Sequence, residues 1–285
     1  MSGLAEKAEA FRQLHHGNGI LVLPNAWDVP SARTFEDAGF PAVATSSAGL
    51  LVSHGYPDGE GMPRREFVRA IGRIASAIAV PLSADLVAGF GRGPRGVVAT
   101  VRAVIEAGAV GINLEDKEPV RGSLFPVSAQ VRKIRAIREA ATSLGVPIVI
   151  NGRTDALRAE SIDASKRLDE SIRRATAYRD AGADCVYPMG LTDGPSIERF
   201  VRALQCPVNV MVRAGLPPLS ELARLGVKRV SFGPGASYAT MGLLRRISED
   251  VLKRGSFASL LDGAISFDEL NRLAVPRTAP PSPSD

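Results

Sequence analysis

Short apolar runs alternate along this chain with longer stretches whose apolar residues recur every three or four positions. The runs begin near residues 20, 41, 81, 109, 147, 184, 207 and 228 and read as eight strands. Residues 63–79 place Phe67, Val68, Ile71, Ile74, Ala75 and Ile78 on one helical face, and 97–107, 128–144 and 168–181 repeat the pattern. Residues 31–35 make a shorter helix after the first strand. Two phrases punctuate the alternation. Ala38-Gly39, Ala107-Gly108, Ala181-Gly182 and Leu225-Gly226 each join a helix end to an apolar run, with Gly as the left-handed cap. Val80-Pro81, Val146-Pro147 and Cys206-Pro207 open strands where the missing N–H of Pro costs least, and Pro63 and Pro94 fall at helix starts. Eight such units predict an α/β fold, a (β/α)8 TIM barrel. An open doubly wound sheet is the alternative, although no Gly-x-Gly-x-x-Gly follows the first strand.

The 285 residues fit one barrel domain over 1–255. Helical patterns over 238–254 and 257–273 follow the last strand. Residues 256–273 make a C-terminal helical segment, and the Pro- and Ser-rich 274–285 predict a disordered tail. Residues 1–16 are charged and read as a short helix, not a signal peptide. No apolar run approaches the length of a membrane span. The net charge is +5, but its cations are interspersed with acids and aromatics are only 5%. That predicts solvated helix surfaces and argues against nucleic-acid binding. Cys185 and Cys206 each fall at a strand and read as buried, reduced thiols, which suits the cytoplasm. Three His and two Cys argue against a His/Cys zinc cage or a disulfide framework. A metal here would sit among oxygens, as Mg²⁺ or Mn²⁺ do.

Barrel enzymes build their active sites just past the C-terminal ends of the strands. Those ends carry Asn25-Ala26-Trp27-Asp28, Thr45-Ser46-Ser47-Ala48, Ser83-Ala84-Asp85, Asn113-Leu114-Glu115-Asp116-Lys117, Asn151-Gly152-Arg153-Thr154-Asp155, Tyr187-Pro188-Met189, Asn209-Val210-Met211 and Ser231-Phe232-Gly233. Side chains alternate along a strand, so Asn113, Glu115 and Lys117 share a face. Asp85 and Glu115 fall on neighbouring strands, where a cation would relieve their repulsion; a salt bridge to Arg or Lys is the other reading. Ser46, Ser47 and the turn after them either bind an anion or simply form a turn. Arg153 suits bidentate recognition of a carboxylate or phosphonate, or balances Asp85, Glu115 or Asp155. Asn209 binds substrate or satisfies a strand end. Trp27 and Ala48 complete the candidate substrate-binding set. His54 reads as a loop residue, and His15 and His16 as structural. The connections 49–62 and 117–127 are candidate lids or surface decoration.

These segments together resemble the isocitrate lyase/phosphoenolpyruvate mutase superfamily, from about residue 10 to 250. The resemblance rests on Leu23-Pro24-Asn25-Ala26-Trp27-Asp28, Thr45-Ser46-Ser47, Gly55-Tyr56-Pro57-Asp58, Ala84-Asp85 with Gly89-Phe90-Gly91, Gly111 to Lys117, and Arg153-Thr154-Asp155-Ala156. It implies a Mg²⁺-dependent barrel that makes or breaks a C–C or P–C bond next to a 2-oxo acid through a metal-stabilised enolate. It further implies that Asp85 binds the metal, with Glu115 and Asp58 acting through its waters. Ser46, Ser47 and Arg153 would hold a small anionic substrate, so Asp58, Arg153 and Glu115 become the catalytic candidates. Homo-oligomers, tetramers or dimers, are implied too, with residues 256–273 as a helix packed on a neighbour.

Two departures from the family pattern matter. Val87 stands where the family has a second acidic residue after Asp85. Glu118-Pro119-Val120-Arg121-Gly122-Ser123-Leu124 replaces the Cys- and His-bearing loop of the isocitrate and methylisocitrate lyases. Its Glu-Asp-Lys start looks more like the phosphonate mutases and hydrolases, with Arg121 and Ser123 near their gating-loop polar residues. The expected function is a Mg²⁺-dependent lyase or mutase acting on an oxaloacetate-, phosphonopyruvate- or substituted-malate-like compound. The alternatives are a non-catalytic or weakly active ligand-binding relative, or a methylisocitrate-lyase-type enzyme using a different acid.

Overall fold

The computed structural model describes residues 2–274. Nine parallel strands are present: β1 (Leu21–Leu23), β2 (Asn25–Ala26), β3 (Val43–Thr45), β4 (Leu82–Asp85), β5 (Gly111–Glu115), β6 (Val149–Thr154), β7 (Cys185–Pro188), β8 (Asn209–Met211) and β9 (Arg229–Ser231). The helices are α1 (Ser2–Leu14), α2 (Val29–Asp37), α3 (Ser47–Ser53), α4 (Arg64–Ala77), α5 (Gly93–Glu106), α6 (Val127–Ser143), α7 (Arg167–Asp180), α8 (Gly194–Leu204), α9 (Leu219–Arg224), α10 (Gly235–Arg254), α11 (Ala258–Leu261) and α12 (Phe267–Ala274). Every predicted strand is found within about two residues of its expected start.

The strand ladder runs β2-β3-β4-β5-β6-β7 in one arc and β1-β9-β8 in the other. The first strand pairs the last, Leu21 with Arg229 and Leu23 with Ser231. A single bridge, Val186 to Val208, joins β7 to β8. Between β1 and β2 lies only Pro24, which has no N–H to give to a ladder. The hydrogen-bond ladder is therefore interrupted at two places, but the order is sequential and returns to its start. That is the TIM-barrel arrangement, and it excludes the doubly wound alternative, whose order reverses at a switch point.

The four repeated Gly residues at helix ends all take the left-handed conformation, as their caps require. The strand residues between barrel and helices are apolar and buried, among them Val43, Leu82, Ala84, Ile112, Leu114, Ile148, Ile150 and Val186. Inside the barrel the pattern is different. Ser83, Asn113, Asn151, Asn209 and Arg229 face the interior and are buried. The helix α1 closes the bottom of this interior. A Cβ on Gly111 would come within 2.5 Å of Phe11 Cε1, so only Gly leaves room for that plug. His15 lies beside Arg229, with Nε2 3.4 Å from Nη1. Burial, then the Arg229 charge, pushes the His15 pKa down to about 3, so it is a neutral structural residue.

Past the barrel, α10 matches the predicted 238–254 helix. The expected helix over 257–273 is instead two short pieces, α11 and α12, with Gly263 at φ +70° between them. Of these, α12 lies on α2 of its own chain: Leu273 is buried and Arg272 pairs with Asp37. The expected tail, apart from Ala274, falls outside the described residues. Among the described residues, no helix is long and apolar enough to cross a membrane.

Candidate active site

A cavity of about 380 Å³ opens at the C-terminal end of the strands. Ser46, Ser47, Ala48, Asp58, Asp85, Glu115, Arg153 and Asn209 all line it. Trp27 does not, which corrects its place in the substrate-binding set. Asp28 caps α2 and receives the Ser31 N–H at 2.8 Å, which turns the chain away after β2. Trp27 packs behind Gly49, whose added Cβ would lie 3.0 Å from Trp27 Cβ, and borders an outer groove with Phe35 and Leu270.

Asp85 ends β4 and is held on three sides. Its Oδ1 accepts from Asn113 Nδ2 at 2.7 Å and its Oδ2 from the Ser47 N–H at 3.2 Å. Its own N–H donates to Thr45 Oγ1 at 3.0 Å. Asn113 is in turn held by Asn151 Nδ2 at 3.1 Å. The carboxylate is thus fixed in one orientation by donors reaching it from β5 and from the start of α3. Ser46 caps α3, its Oγ accepting the Gly49 N–H at 3.2 Å. Its hydroxyl lone pair is therefore partly occupied by a local turn, as the plainer reading allowed.

Glu115 ends β5 and is 8% exposed. It pairs with Arg153 at 2.8 Å. Burial, and then the charges of Asp155, Asp85 and Asp58, push its pKa up to about 8 despite the opposing pull of Arg153. Asp58 is exposed at the rim. Crowding by surrounding atoms, then the Asp85 charge, raises its pKa, against a hydrogen bond from Ser47. Arg153 also grips Asp155 through Nε at 2.7 Å and Nη2 at 2.8 Å. Burial disfavours its charge, but Glu115 and Asp155 outweigh that and hold its pKa well above the ordinary value. A guanidinium has five N–H groups. Two are hydrogen-bonded to Asp155 and Nη1 stands in ion-pair contact with Glu115, which leaves N–H groups to spare for a ligand.

Asp116, next in sequence, turns the other way. It is fully buried and accepts from Thr154, Tyr178, Arg174 and the Asp155 N–H. It anchors the end of β6 that presents Arg153 and takes no part in the cavity.

Val87 lines the cavity with φ at +52°. A β-branched residue seldom adopts this region, at a cost on the order of 1–2 kcal/mol. Its carbonyl accepts the Glu115 N–H at 2.8 Å, which helps hold the turn. The 117–127 connection is a small hairpin: Lys117 bridges Leu124, and the Glu118 N–H meets the Ser123 carbonyl at 2.8 Å. Arg121 and Ser123 border a neighbouring groove, not the main cavity. The start of the 49–62 connection is helix α3, and its far end is pinned where Glu60 accepts the Phe90 N–H at 2.7 Å. His54 Nδ1 donates locally to the Leu50 carbonyl, 2.9 Å away, as expected of a loop residue.

Among the described residues, no three His, Cys, Asp or Glu side chains form a ready-made metal cage. Asp58, Asp85 and Glu115 nevertheless face one cavity, close enough that the Asp85 charge raises the pKa of both Asp58 and Glu115. Three carboxylates facing one cavity suit a hard cation bound through oxygens that keeps several of its waters.

The family model of phosphoenolpyruvate phosphomutase matches residues 11–252. A solved Burkholderia cenocepacia J2315 protein, provisionally described as a lyase/mutase, is 39% identical with a TM-score of 0.88, covering 95% of this chain and 96% of that one. The phosphoenolpyruvate phosphomutase of Streptomyces platensis subsp. rosaceus is 27% identical with a TM-score of 0.81, covering 93% of this chain and 94% of that one. The 2-methylisocitrate lyase of Bacillus subtilis strain 168 is 31% identical over 214 residues, 73% of this chain and 67% of that protein.

Proposed function

This chain belongs to the phosphoenolpyruvate phosphomutase family, within the isocitrate lyase/phosphoenolpyruvate mutase superfamily of lyases and mutases, and from that premise we propose a divalent-cation-dependent enzyme that makes or breaks a C–C or P–C bond next to a 2-oxo acid. The observation that carries this reading is the convergence of Asp58, Asp85 and Glu115 on one cavity, beside an Arg153 with N–H groups to spare. Asp85 would hold Mg²⁺ or Mn²⁺ directly, and Asp58 and Glu115 through waters. The bound cation supplies concentrated positive charge for an oxyanion.

The chain's own groups do the rest. Asn113 and the Ser47 N–H keep Asp85 in one rotamer. Arg153, locked between Glu115 and Asp155, donates its remaining N–H groups to a carboxylate or phosphonate of the substrate. Ser46, Ser47 and Ala48 wall the opposite side, and Asn209 stands deeper. The hairpin after β5 contains neither Cys nor His, so it lacks the acid of the Cys-loop lyases.

Oxaloacetate, phosphonopyruvate and 2-alkyl malates span the bond types this reading allows. Purified protein with Mg²⁺ is expected to turn over at least one of them, followed by release of a 2-oxo acid or by loss of the P–C signal in phosphorus NMR. No turnover across the panel, with intact cation-dependent binding, would favour a ligand-binding relative. Val87 is the observation behind that second reading, since it removes an acidic partner from the cation's surroundings. We further propose self-association, supported by exposed Leu252, Phe257, Leu261 and Phe267 on the C-terminal segment; light scattering coupled to gel filtration reads it directly.

A further inference from the structure

Both carboxylates and cations ring the cavity. Asp58 follows β3, Asp85 ends β4 and Glu115 ends β5. Lys117 and Arg158 line the same cavity from the loops after β5 and β6. Among the described residues neither has a carboxylate within ion-pair distance, whereas Arg138, Arg153 and Arg174 each do. A third cation, Arg213, follows β8 and stands beside Arg158. Both meet over Gly190, just past β7: a Cβ there would lie 3.2 Å from Arg158 Cγ and 3.6 Å from Arg213 Nη1. Gly190, at φ +102°, leaves the floor on which these two exposed, guanidinium-bearing side chains approach each other.

The backbones beneath these cations are fixed. Lys117 is tied by its bridge to Leu124, and its stem runs beside Gly122, 3.8 Å from where a Cβ would sit. The Arg158 N–H donates to the Asp155 carbonyl at 2.9 Å, directly beyond the Arg153 clamp. Asp155 and Glu160 border a side groove with Lys117 and Arg158, but Asp155 is taken up by Arg153 and neither acid pairs with these two cations, so the like charges repel one another. An anion between them would reverse the sign of that interaction.

We propose that Lys117, Arg158 and Arg213 form a second anion subsite at the cavity mouth, which reads a distal carboxylate of a substrate whose other end meets Asp85 and Arg153. The subsite rests on the functional reading above and sharpens it. It points to a substrate with an additional carboxylate beyond the reacting end and disfavours a compound that ends in an uncharged group. Ring order runs from Asp85 on β4, past Lys117 after β5, to Arg158, Gly190 and Arg213 after β6, β7 and β8.

The test uses the full chain with Mg²⁺ and two probes, oxalate and tricarballylate, a propane tricarboxylate. Calorimetry gives both dissociation constants for the wild type, Lys117→Gln, Arg158→Gln and Arg213→Gln. All three side chains belong to exposed residues, so the substitutions leave the core untouched. The expected result is tighter binding of tricarballylate than of oxalate, and a loss of that preference by about fivefold or more in Arg158→Gln and Lys117→Gln, with a smaller loss in Arg213→Gln. Unchanged preference in all three variants, with oxalate still bound in a Mg²⁺-dependent way, overturns the subsite and leaves the functional reading standing. Failure of both probes to bind the wild type overturns the functional reading and the subsite with it.

Discussion

Replacing Asp116 with Asn should cost more stability than any exposed charge change, although Asp116 never reaches the cavity. Its Oδ2 accepts from Tyr178 Oη at 2.7 Å, Thr154 Oγ1 at 2.9 Å and Arg174 Nη1 at 3.0 Å, and its Oδ1 accepts from the Asp155 N–H at 2.9 Å. An Asn side chain has one acceptor oxygen where the aspartate has two. Whichever way it turns, its NH₂ group faces at least one donor. The full burial of Asp116 leaves no water to compensate. Removing one partner of a buried ion pair costs roughly 3–5 kcal/mol. Arg174 keeps Glu170 at 2.7 Å, which sets the expectation at the low end, about 3 kcal/mol. At about 2–4 °C per kcal/mol for chains approaching this size, Tm falls by about 6–12 °C. Urea unfolding followed by circular dichroism measures the change. Tyr178→Phe alone removes one hydrogen bond and should cost about 1 kcal/mol, and the double variant should cost less than the sum because both act on one network. A loss below about 1 kcal/mol in Asp116→Asn would refute the role assigned to this residue.

Two further outcomes follow from the carboxylates around the cavity. Glu115 is raised from 4.5 to about 8 in the folded protein. It therefore contributes stability that is complete below about pH 4.5 and is lost as pH rises through 8. Asp58 adds a shift of the same sign. A bound divalent cation offsets the repulsion, so the Mg²⁺- or Mn²⁺-induced rise in Tm should be larger at pH 8 than at pH 6; an equal or smaller rise at pH 8 contradicts the arrangement. Val87→Asp places a residue more tolerant of positive φ in the strained turn and adds a carboxylate near Asp85. Mn²⁺ affinity read by electron paramagnetic resonance should tighten about tenfold, whereas Tm moves by only a few degrees because strain relief and the loss of a buried Val oppose each other. No gain in Mn²⁺ affinity would show that position 87 lies outside the cation's surroundings.

The barrel was legible because its signals are local. Pro at strand starts and Gly at helix ends depend only on neighbouring residues, and the eight alternations set their order. The strand β2 escaped notice because two residues after Pro24 carry no periodicity. The break in 257–273 comes at Gly263, which a helical pattern tolerates on paper but which takes φ +70° here. The docking of α12 on α2 depends on Arg272 meeting Asp37 across more than 200 positions, beyond any local pattern. At the site, strand-end position picked out Asp85, Glu115, Arg153 and Asn209 correctly as cavity residues. The same rule failed for Trp27, because the Asp28 cap redirects the chain one residue later. Asn113 was visible as a face-mate of Glu115, but its bond to Asp85 needs the β4–β5 register, which pairs Asp85 with Asn113. Arg158 and Arg213 lie beyond the strand ends and carried no sequence signal; only the shared floor at Gly190 brings them together.

The proposed chemistry turns on Asp85 holding a divalent cation against which an oxyanion is stabilised. Titration of oxalate, an enolpyruvate mimic, into wild type and Asp85→Ala with and without Mg²⁺ tests it most directly. Oxalate should bind the wild type only when Mg²⁺ is present and should show no Mg²⁺-dependent binding to Asp85→Ala. Wild-type binding that ignores Mg²⁺, or Mg²⁺-dependent binding that survives in Asp85→Ala, would contradict it.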